Sequence, residues 1–495
     1  MSKSLFAVLV ILLFACNNKE KESTDKNDAL AFDETNYTLE EVEVNGEKIK
    51  YRAYENIIYV SKPVDTTYQK LNYYVPESYF EGKTIGEYDA STAPIFFPNH
   101  VGGYMPAIPG TVKPGKRFWS PNGDNVTTIA YALAEGFVVA SAGARGRTTT
   151  DENGNYTGKA PAVIVDLKAA VRYLKYNDAL MPGDANKIVS NGTSAGGAVS
   201  ALLGASGNST LYKPYLDSLG AANASDDIYA VAAYCPITNL DHADMAYEWQ
   251  FAKQLTYSRM HFEMKDGKME RSRVNGELTE EEIKTSSDLA QLFPDYVNGL
   301  HLQDKDGAYL TLDQQGEGTF LLLIKKYVIA SAQKALDSGK DMAAYPWITL
   351  EDNKVIDLDY TAYLAYLGRM KSPPAFDGLN MSTPENQLFG NDSIDKMHFT
   401  NYGYKNSLVQ GGLANDEVVV LMNPMNFIGN KKGQVAGYWR IRHGAKDSDT
   451  SLAISAILAT TLENNGYKVN YALPWDVPHS GDYDLKELFT WIKSL

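Results

Sequence analysis

Ser194 is the residue whose setting in this sequence most clearly suggests chemistry. It is the centre of the segment Gly192-Thr193-Ser194-Ala195-Gly196, a G-x-S-x-G pattern. The apolar run 187–191 precedes this pattern and an Ala-rich stretch follows it, which predicts a strand, a sharp turn and a helix. Such a turn holds its serine in strained backbone geometry, and the glycines let the strand and helix approach each other. The pattern therefore indicates a nucleophilic serine, and a chance glycine-rich turn is the alternative.

A serine hydroxyl is a poor nucleophile, so a histidine base and an orienting acid are needed. At strand–turn–helix serine sites the acid and then the histidine follow the serine, each after a later strand. His479 follows the apolar run 467–473 and precedes the last predicted helix, so we predict it as the base. His443 lies after the preceding strand, but no later loop could hold an acid in the required order.

Two aspartates, Asp447 and Asp449, lie in the loop that should carry the acid, which reads HGAKDSDT. The spacing Gly444-x-x-Asp447 resembles the strand-to-helix acid turn of α/β hydrolases. We therefore assign the acid to Asp447. Asp449 could instead cap the helix that follows.

Attack by a serine on a carbonyl carbon produces a negatively charged oxygen, which needs two fixed backbone donors. The N–H of Ala195, directly after the serine and near a helix start, is the first predicted donor. The second should come from the loop after the apolar run 94–97, where the pair Gly102 and Gly103 permits close backbone approach to a substrate. We favour Gly103 slightly over Gly102. A plain turn is the alternative.

Strands and helices alternate along two parts of the chain, which predicts a parallel α/β sheet. The alternation runs from about residue 55 to 240 and resumes at about 433 with strand, helix, strand and helix. The last part is too small to fold alone, so we predict one sheet interrupted by a large, mainly helical insertion. A separate, sequential middle domain is the alternative. The predicted limits are 34–240 and 430–495 for the core and 241–429 for the insertion.

Composition excludes several classes of function. The 495 residues carry 46 basic and 61 acidic side chains, a formal net charge of −15, which argues against nucleic-acid binding. Only Cys16 and Cys235 are present, and the seven histidines form no HxxxH or HxH pair. These counts are too low for a disulfide framework or a typical zinc site. We expect no metal and no cofactor.

The N-terminus resembles a targeting signal. Residues 5–15 read LFAVLVILLFA, which is too short to span a bilayer but suits a signal peptide. The segment ends at Cys16 and resembles the lipobox of bacterial lipoproteins, which implies lipidation of that cysteine; an ordinary secretory signal is the alternative. Residues 17–28 carry seven charges and no apolar side chain, so we predict a signal in 1–16 and a disordered tether in 17–33. The expected location is a bacterial membrane, on the periplasmic face or the cell surface, with membrane contact only through the anchor.

Several segments together resemble the bacterial tannases, in particular the group called subtype B. The similarity covers most of residues 50–495, and the segments that carry it are FPNHVGGY, NGTSAGGA, CPITNLDHADMAYEW, KSPPAFDG, HGAKDSDT and PHSGDYD. It implies an α/β-hydrolase core with an inserted lid. It also implies hydrolysis of galloyl esters, from alkyl gallates to hydrolysable tannins, with the triad at Ser194, Asp447 and His479.

The same resemblance implies a set of side chains that bind the galloyl ring. In that family a lysine and a glutamate of the lid and the second aspartate of the acid loop hold the ring, and Lys371, Glu385 and Asp449 stand in matching contexts. A surface ion pair between Lys371 and Glu385 is the alternative for these lid residues.

Three other functions remain to be distinguished from galloyl-ester hydrolysis. The first is another carboxylesterase on the same fold, such as a feruloyl or acetyl esterase, and the second is a catalytically silent surface-binding lipoprotein. The third is a serine peptidase of the prolyl-oligopeptidase kind, which would normally need a propeller repeat that the sequence does not show. The sequence does not determine the oligomeric state or the preferred ester.

Overall fold

The computed structural model describes residues 29–114, 126–265 and 268–495. In chain order the strands are β1 (Thr38–Val44), β2 (Glu47–Ile58), β3 (Lys70–Pro76), β4 (Pro94–Pro98), β5 (Val138–Ala142), β6 (Asp184–Thr193), β7 (Ala230–Tyr234), β8 (Thr256–Lys265), β9 (Lys268–Glu277), β10 (Ile348–Glu351), β11 (Lys354–Leu358), β12 (Tyr438–Arg442) and β13 (Lys468–Ala472). The helices are α1 (Glu77–Phe80), α2 (Thr128–Ala134), α3 (Ala162–Tyr176), α4 (Ala195–Ala205), α5 (Lys213–Ser218), α6 (Leu240–Phe251), α7 (Glu280–Gly299), α8 (Thr319–Asp337), α9 (Tyr360–Leu367), α10 (Pro384–Leu388), α11 (Asn401–Lys405), α12 (Asp416–Leu421), α13 (Leu452–Asn464) and α14 (Leu485–Lys493).

Nine of these strands form one sheet in the order β1-β2-β3-β5-β4-β6-β7-β12-β13. The strands from β5 to β13 in this order are parallel, and β1, β2 and β3 add an antiparallel edge. The parallel strands are continuous apolar runs because helices cover both faces of the sheet. This arrangement confirms the predicted α/β-hydrolase fold class.

Side chains alternate across the buried strands and so divide the core into two layers. Ile95 and Phe97 of β4 belong to the larger apolar cluster, which also includes α3, α4 and α13. Phe96, between them, belongs to a second cluster with residues of α2 and α14. The sheet therefore lies between two helical layers.

The residues between β7 and β12 form the insertion. β12 pairs directly with β7, with Tyr438 opposite Ala230, so the chain leaves and rejoins one sheet at adjacent strands. The insertion holds α6 to α12 and two hairpins, β8–β9 and β10–β11. Its buried Phe293 and Tyr363 belong to the same apolar cluster as Leu202 of the elbow helix α4. The apolar core is thus continuous across the predicted boundary.

The C-terminal limit of the predicted disordered tether, residues 17–33, is wrong. The signal segment 1–16, Cys16 and tether residues 17–28 lie outside the described residues, but Leu30 and Phe32 are buried. The Phe32 N–H donates to Asn177 Oδ1 at 2.9 Å, and Asn177 Nδ2 donates to the Leu30 carbonyl at 3.0 Å. Two apolar side chains with satisfied backbone groups tie this segment to α3, which a charged tether could not do.

Among the helices of the described ranges, none is long and apolar enough to cross a bilayer.

Candidate active site

Ser194 lies in the turn between β6 and α4, and its backbone is strained. Its φ is 61°, a left-handed conformation that is rare for a residue with a side chain. A Cβ added to Gly192 would lie 2.3 Å from the Gly196 carbonyl oxygen, and one added to Gly196 would lie 2.7 Å from the Val101 carbonyl oxygen. Both positions therefore require glycine. The sequence pattern and the local geometry agree on a nucleophile elbow.

Asp447 and His479 come together after β12 and β13. His479 Nδ1 lies 2.7 Å from Asp447 Oδ2, and the Asp449 N–H donates to Asp447 Oδ1 at 2.8 Å. Asp447 is fully buried, whereas the His479 side chain is one-quarter exposed at 24%. A buried carboxylate therefore orients an imidazole that remains partly exposed.

The two groups stabilise each other's charged forms. Burial acts to raise the pKa of Asp447, but the neighbouring His479 and His443 outweigh it and hold that pKa well below its usual range. Burial acts to lower the pKa of His479, but Asp447 and Asp449 outweigh it and raise that pKa well above 6.5. The ionised form of Asp447 and the protonated form of His479 therefore favour each other.

The loop that carries His479 is anchored beside the serine turn. A Cβ on Gly481 would lie 1.9 Å from Thr193 Oγ1, so the loop passes directly against the residue before Ser194. Asp482 accepts hydrogen bonds from Asn191 Nδ2 at 3.0 Å and from Thr128 Oγ1 at 2.7 Å. These contacts fix the histidine loop relative to the elbow.

The predicted oxyanion donors lie at the same end of the sheet. Ala195 begins α4, and it lines a cavity of about 800 Å³ together with Ser194 and Gly103. Gly103 has a φ of 54°, which suits glycine, and Gly102 accepts a hydrogen bond from the Met105 N–H at 3.0 Å. Gly103 rather than Gly102 therefore faces the cavity.

Lys371, Glu385 and Asp449 line this same cavity. Lys371 Nζ lies 3.0 Å from Asp449 Oδ1 and 4.1 Å from the centre of the Phe376 ring. Glu385 is only 8% exposed, and burial raises its pKa although Lys371 acts in the opposite direction. Lys371 is thus paired with Asp449 rather than in a surface ion pair with Glu385, and Ser451, not Asp449, caps α13.

Solved structures decide the family. The crystal structure of tannase from Lactobacillus plantarum is 48% identical, covers 94% of this chain and 98% of its own, and superposes with a TM-score of 0.90. The tannase of Fusobacterium nucleatum is 51% identical with a TM-score of 0.89, covering 94% of this chain and 99% of its own. The chain belongs to the tannase family.

Three further comparisons give another tannase structure, a family model and a search without a match. A tannin acyl hydrolase solved in complex with ethyl gallate is 48% identical, covers 94% of this chain and 98% of its own, and has a TM-score of 0.88. A family model described as BD-FAE matches residues 119–272. No curated protein matches the chain. The predicted resemblance to bacterial tannases and the predicted enzyme class are both confirmed.

Two residues that contact the predicted site residues of this tannase are not predicted from the sequence. The Tyr247 hydroxyl donates to the Ser448 carbonyl at 3.0 Å and accepts the Lys371 N–H at 3.0 Å, so α6 joins the acid loop to the lysine. Arg147 Nε donates to the Gly103 carbonyl at 2.8 Å, and its charge acts on Glu385. A buried tyrosine on a helix is typical of a core residue. Arg147 does follow a parallel strand, which is the signal that could have identified it.

Cys235 lies near Nε2 of His479, the ring nitrogen that does not contact Asp447. Its Sγ is 3.9 Å from His479 Nε2, and the ligand-type atoms of Cys235, Asp447 and His479 lie within 4.8 Å of one another. In the described part of the chain this group could in principle hold a metal ion. However, the Asp447 oxygen concerned already accepts the His479 Nδ1 hydrogen bond, so the arrangement matches a triad in this tannase better than a metal site.

Proposed function

We propose that this tannase hydrolyses galloyl esters through Ser194, His479 and Asp447. The observation that carries the proposal is one cavity that holds the strained serine together with Lys371, Glu385 and Asp449. A relative of 48% identity was solved with ethyl gallate, which supports a gallate ester as the substrate.

The proposed reaction uses these groups in two steps. His479 Nε2 takes the Ser194 proton while Oγ attacks the ester carbonyl, and the N–H groups of Ala195 and Gly103 stabilise the oxyanion. The ester C–O bond then breaks, and the alcohol leaves with the proton from His479. Water, deprotonated by His479, cleaves the acyl-enzyme and releases gallic acid, which returns Ser194 to its starting form.

Lys371, Glu385 and Asp449 are proposed to select the three adjacent phenolic hydroxyls. The two carboxylates can accept phenolic O–H bonds, and the ammonium can donate to phenolic oxygens. A buried donor or acceptor left unpaired is costly, so such a site rejects rings that lack hydroxyls. An apolar slot could not make that distinction.

The direct test is Ser194→Ala. We expect loss of methyl gallate hydrolysis by roughly 10³-fold or more with an unchanged fold, because the nucleophile is removed. A folded Ser194→Ala protein that retains substantial gallate esterase activity would refute the assignment. Comparison of methyl gallate with methyl ferulate on the unmodified enzyme separates a galloyl esterase from a feruloyl esterase.

Asp447→Asn and Asp449→Asn distinguish the roles of the two aspartates. Asp447→Asn should abolish turnover of every ester, since it removes the charge that orients and stabilises the imidazolium. Asp449→Asn should mainly weaken gallate binding. If Asp449→Asn proved the more damaging change on a small non-aromatic ester, the two roles would be reversed.

We further propose that Cys16 is lipidated and attaches the enzyme to a bacterial membrane. The apolar segment 5–15 before Cys16 and the charged segment after it support this anchor. Cys16→Ser should move the enzyme from the membrane fraction to the soluble fraction, because the acyl chains alone would hold so polar a segment to lipid. Unchanged membrane association would point to a different anchor.

A further inference from the structure

Asp447 has a second histidine beside it. His443 Nε2 lies 3.3 Å from Asp447 Oδ2, the same oxygen that contacts His479 Nδ1 at 2.7 Å. The His443 side chain is fully buried. This contact is longer than an ideal hydrogen bond, and His443 Nε2 has no other hydrogen-bond partner among the described residues.

The other ring nitrogen of His443 continues a polar chain into the core. Its Nδ1 lies 2.7 Å from Ser455 Oγ on α13, and that oxygen lies 3.0 Å from the Tyr471 hydroxyl on β13. Ser455 and Tyr471 are themselves held by packing, since α13 and β13 belong to the core. The chain therefore runs from two regular elements to the catalytic carboxylate.

The direction of this chain follows from the charge on Asp447. An ionised carboxylate only accepts hydrogen bonds, so the His443 tautomer that fits this contact has a proton on Nε2. Its Nδ1 then accepts the Ser455 O–H, which leaves Ser455 Oγ free to accept the Tyr471 O–H. In this arrangement the Ser455 hydroxyl donates to His443 Nδ1 at 2.7 Å rather than to the more distant Leu452 carbonyl at 3.2 Å.

We infer that His443 is a positioning residue for the ester hydrolysis, and that Ser455 and Tyr471 hold it in the tautomer that donates to Asp447. The inference rests on the triad proposed above. If the Asp447 carboxylate contacted His479 alone, it could rotate, and its hydrogen bond to the imidazole would be less well fixed. His443 and the Asp449 N–H fix it from two further sides. The other titratable groups around Asp447 are Cys235, Tyr363 and the pair Lys371–Asp449.

Two substitutions at His443 form a matched pair. A glutamine amide nitrogen reaches the position of imidazole Nε2, whereas an asparagine amide reaches only the position of Nδ1. His443→Gln should keep kcat for methyl gallate within about threefold, and His443→Asn should lower kcat by about 10- to 100-fold with little change in KM. Both remove a buried ring, so similar losses of thermal stability are expected in the two variants.

Two readouts report on the triad rather than on folding. Without the His443 donor, Asp447 becomes more basic and stabilises the His479 imidazolium more, so the acidic limb of kcat/KM should move to higher pH in His443→Asn but not in His443→Gln. The deshielded NMR resonance of the His479 Nδ1 proton should also shift only in His443→Asn. As a single substitution, Ser455→Ala should lower kcat. Combined with His443→Asn it should lower kcat no further, because Ser455 acts through His443.

Equal kcat, pH profile and Nδ1 resonance in His443→Asn and His443→Gln would overturn the inference. That failure is separate from failure of the proposed function. If Ser194→Ala abolishes activity while the two His443 variants behave alike, the triad stands and only the positioning role is rejected. If Ser194→Ala stays active, the triad itself is wrong.

Discussion

Asp447 and Asp449 show how two carboxylates only two residues apart acquire different tasks. Asp447 is buried against two histidines, while Asp449 is 16% exposed and pairs with Lys371 in the substrate cavity. The Asp449 N–H donates to Asp447, so the backbone of one residue fixes the side chain of the other. One short loop thus connects the proposed catalytic group to the proposed ring-binding group.

This proximity predicts a specific pH dependence. His479 must be neutral to accept a proton, and its pKa is raised above 6.5 by Asp447 and Asp449 against the effect of burial. Activity should therefore fall as pH decreases through a midpoint above 6.5, and Asp449→Asn should move that midpoint to lower pH. The measurement is kcat/KM against pH on a small non-aromatic ester, with Asp304→Asn in a surface turn as the control. A midpoint that Asp449→Asn leaves in place would contradict this coupling.

Glu385 predicts a graded substrate preference. Its carboxylate is buried at the cavity wall near Lys371 and Asp449, where it can accept phenolic O–H bonds. Glu385→Ala should lower kcat/KM for methyl gallate by about 10- to 100-fold, because phenolic hydroxyls lose a charged partner. Methyl benzoate, which has no hydroxyls, should be affected much less. Equal losses on the two esters would reject a role in hydroxyl selection.

Sequence patterns alone point to some of the proposed site residues and not to others, for physical reasons. Ser194, Asp447 and His479 lie at strand ends where order and spacing constrain the choice. Lys371 and Glu385 lie in irregular segments of the insertion, so only the family resemblance identified them. Tyr247 acts through a hydroxyl on the buried face of α6, and no periodicity separates that role from ordinary packing.

At the scale of elements, buried strands are easier to predict from this sequence than the exposed hairpin formed by β1 and β2. β4, β5 and β7 are fully buried and the sequence shows them as short apolar runs. β1 is largely exposed and rich in glutamate, so its pattern does not stand out. The Asn45-Gly46 turn that joins β1 to β2 has positive φ at both residues and was the available signal.

The N-terminal segment provides a prediction at this scale. The Phe32 ring lies 4.9 Å from the Tyr54 ring and 6.2 Å from the Tyr73 ring, and it is buried. Phe32→Ala should lower the free energy of unfolding by about 3 kcal/mol, as for other buried phenylalanines, while kcat stays unchanged. Urea denaturation measures this, and Tyr37→Ala, at a side chain that is 39% exposed, is the control. An unchanged midpoint in Phe32→Ala would mean that the segment behaves as a tether after all.

At the scale of the whole molecule, the insertion packs into the same apolar core as the sheet. Its helices α7, α8 and α9 contribute to the same apolar cluster as the sheet and α3. Lys159, before α3, donates to the carbonyls of Arg147, Gln387 and Asp395 at 2.8 to 2.9 Å, so a buried lysine ties the core to the insertion. The sequence located the insertion from the break in alternation, but a shared core depends on contacts between distant residues and has no local pattern.

A shared core predicts that the insertion and the sheet unfold together. Because one apolar cluster spans both parts, opening either exposes the surface of the other, and the described region should melt in one transition with a calorimetric to van't Hoff enthalpy ratio of about 1. The substrate cavity also spans both parts, since Ser194 and Glu385 line it together. Methyl gallate bound to the inactive Ser194→Ala protein should therefore raise the melting temperature of the whole transition. At a methyl gallate concentration of 100 times its Kd, the free energy of unfolding should increase by about 2.7 kcal/mol. Differential scanning calorimetry tests this, with methyl benzoate as the control ligand. Two separate endotherms, of which methyl gallate shifts only one, would show that the insertion folds on its own.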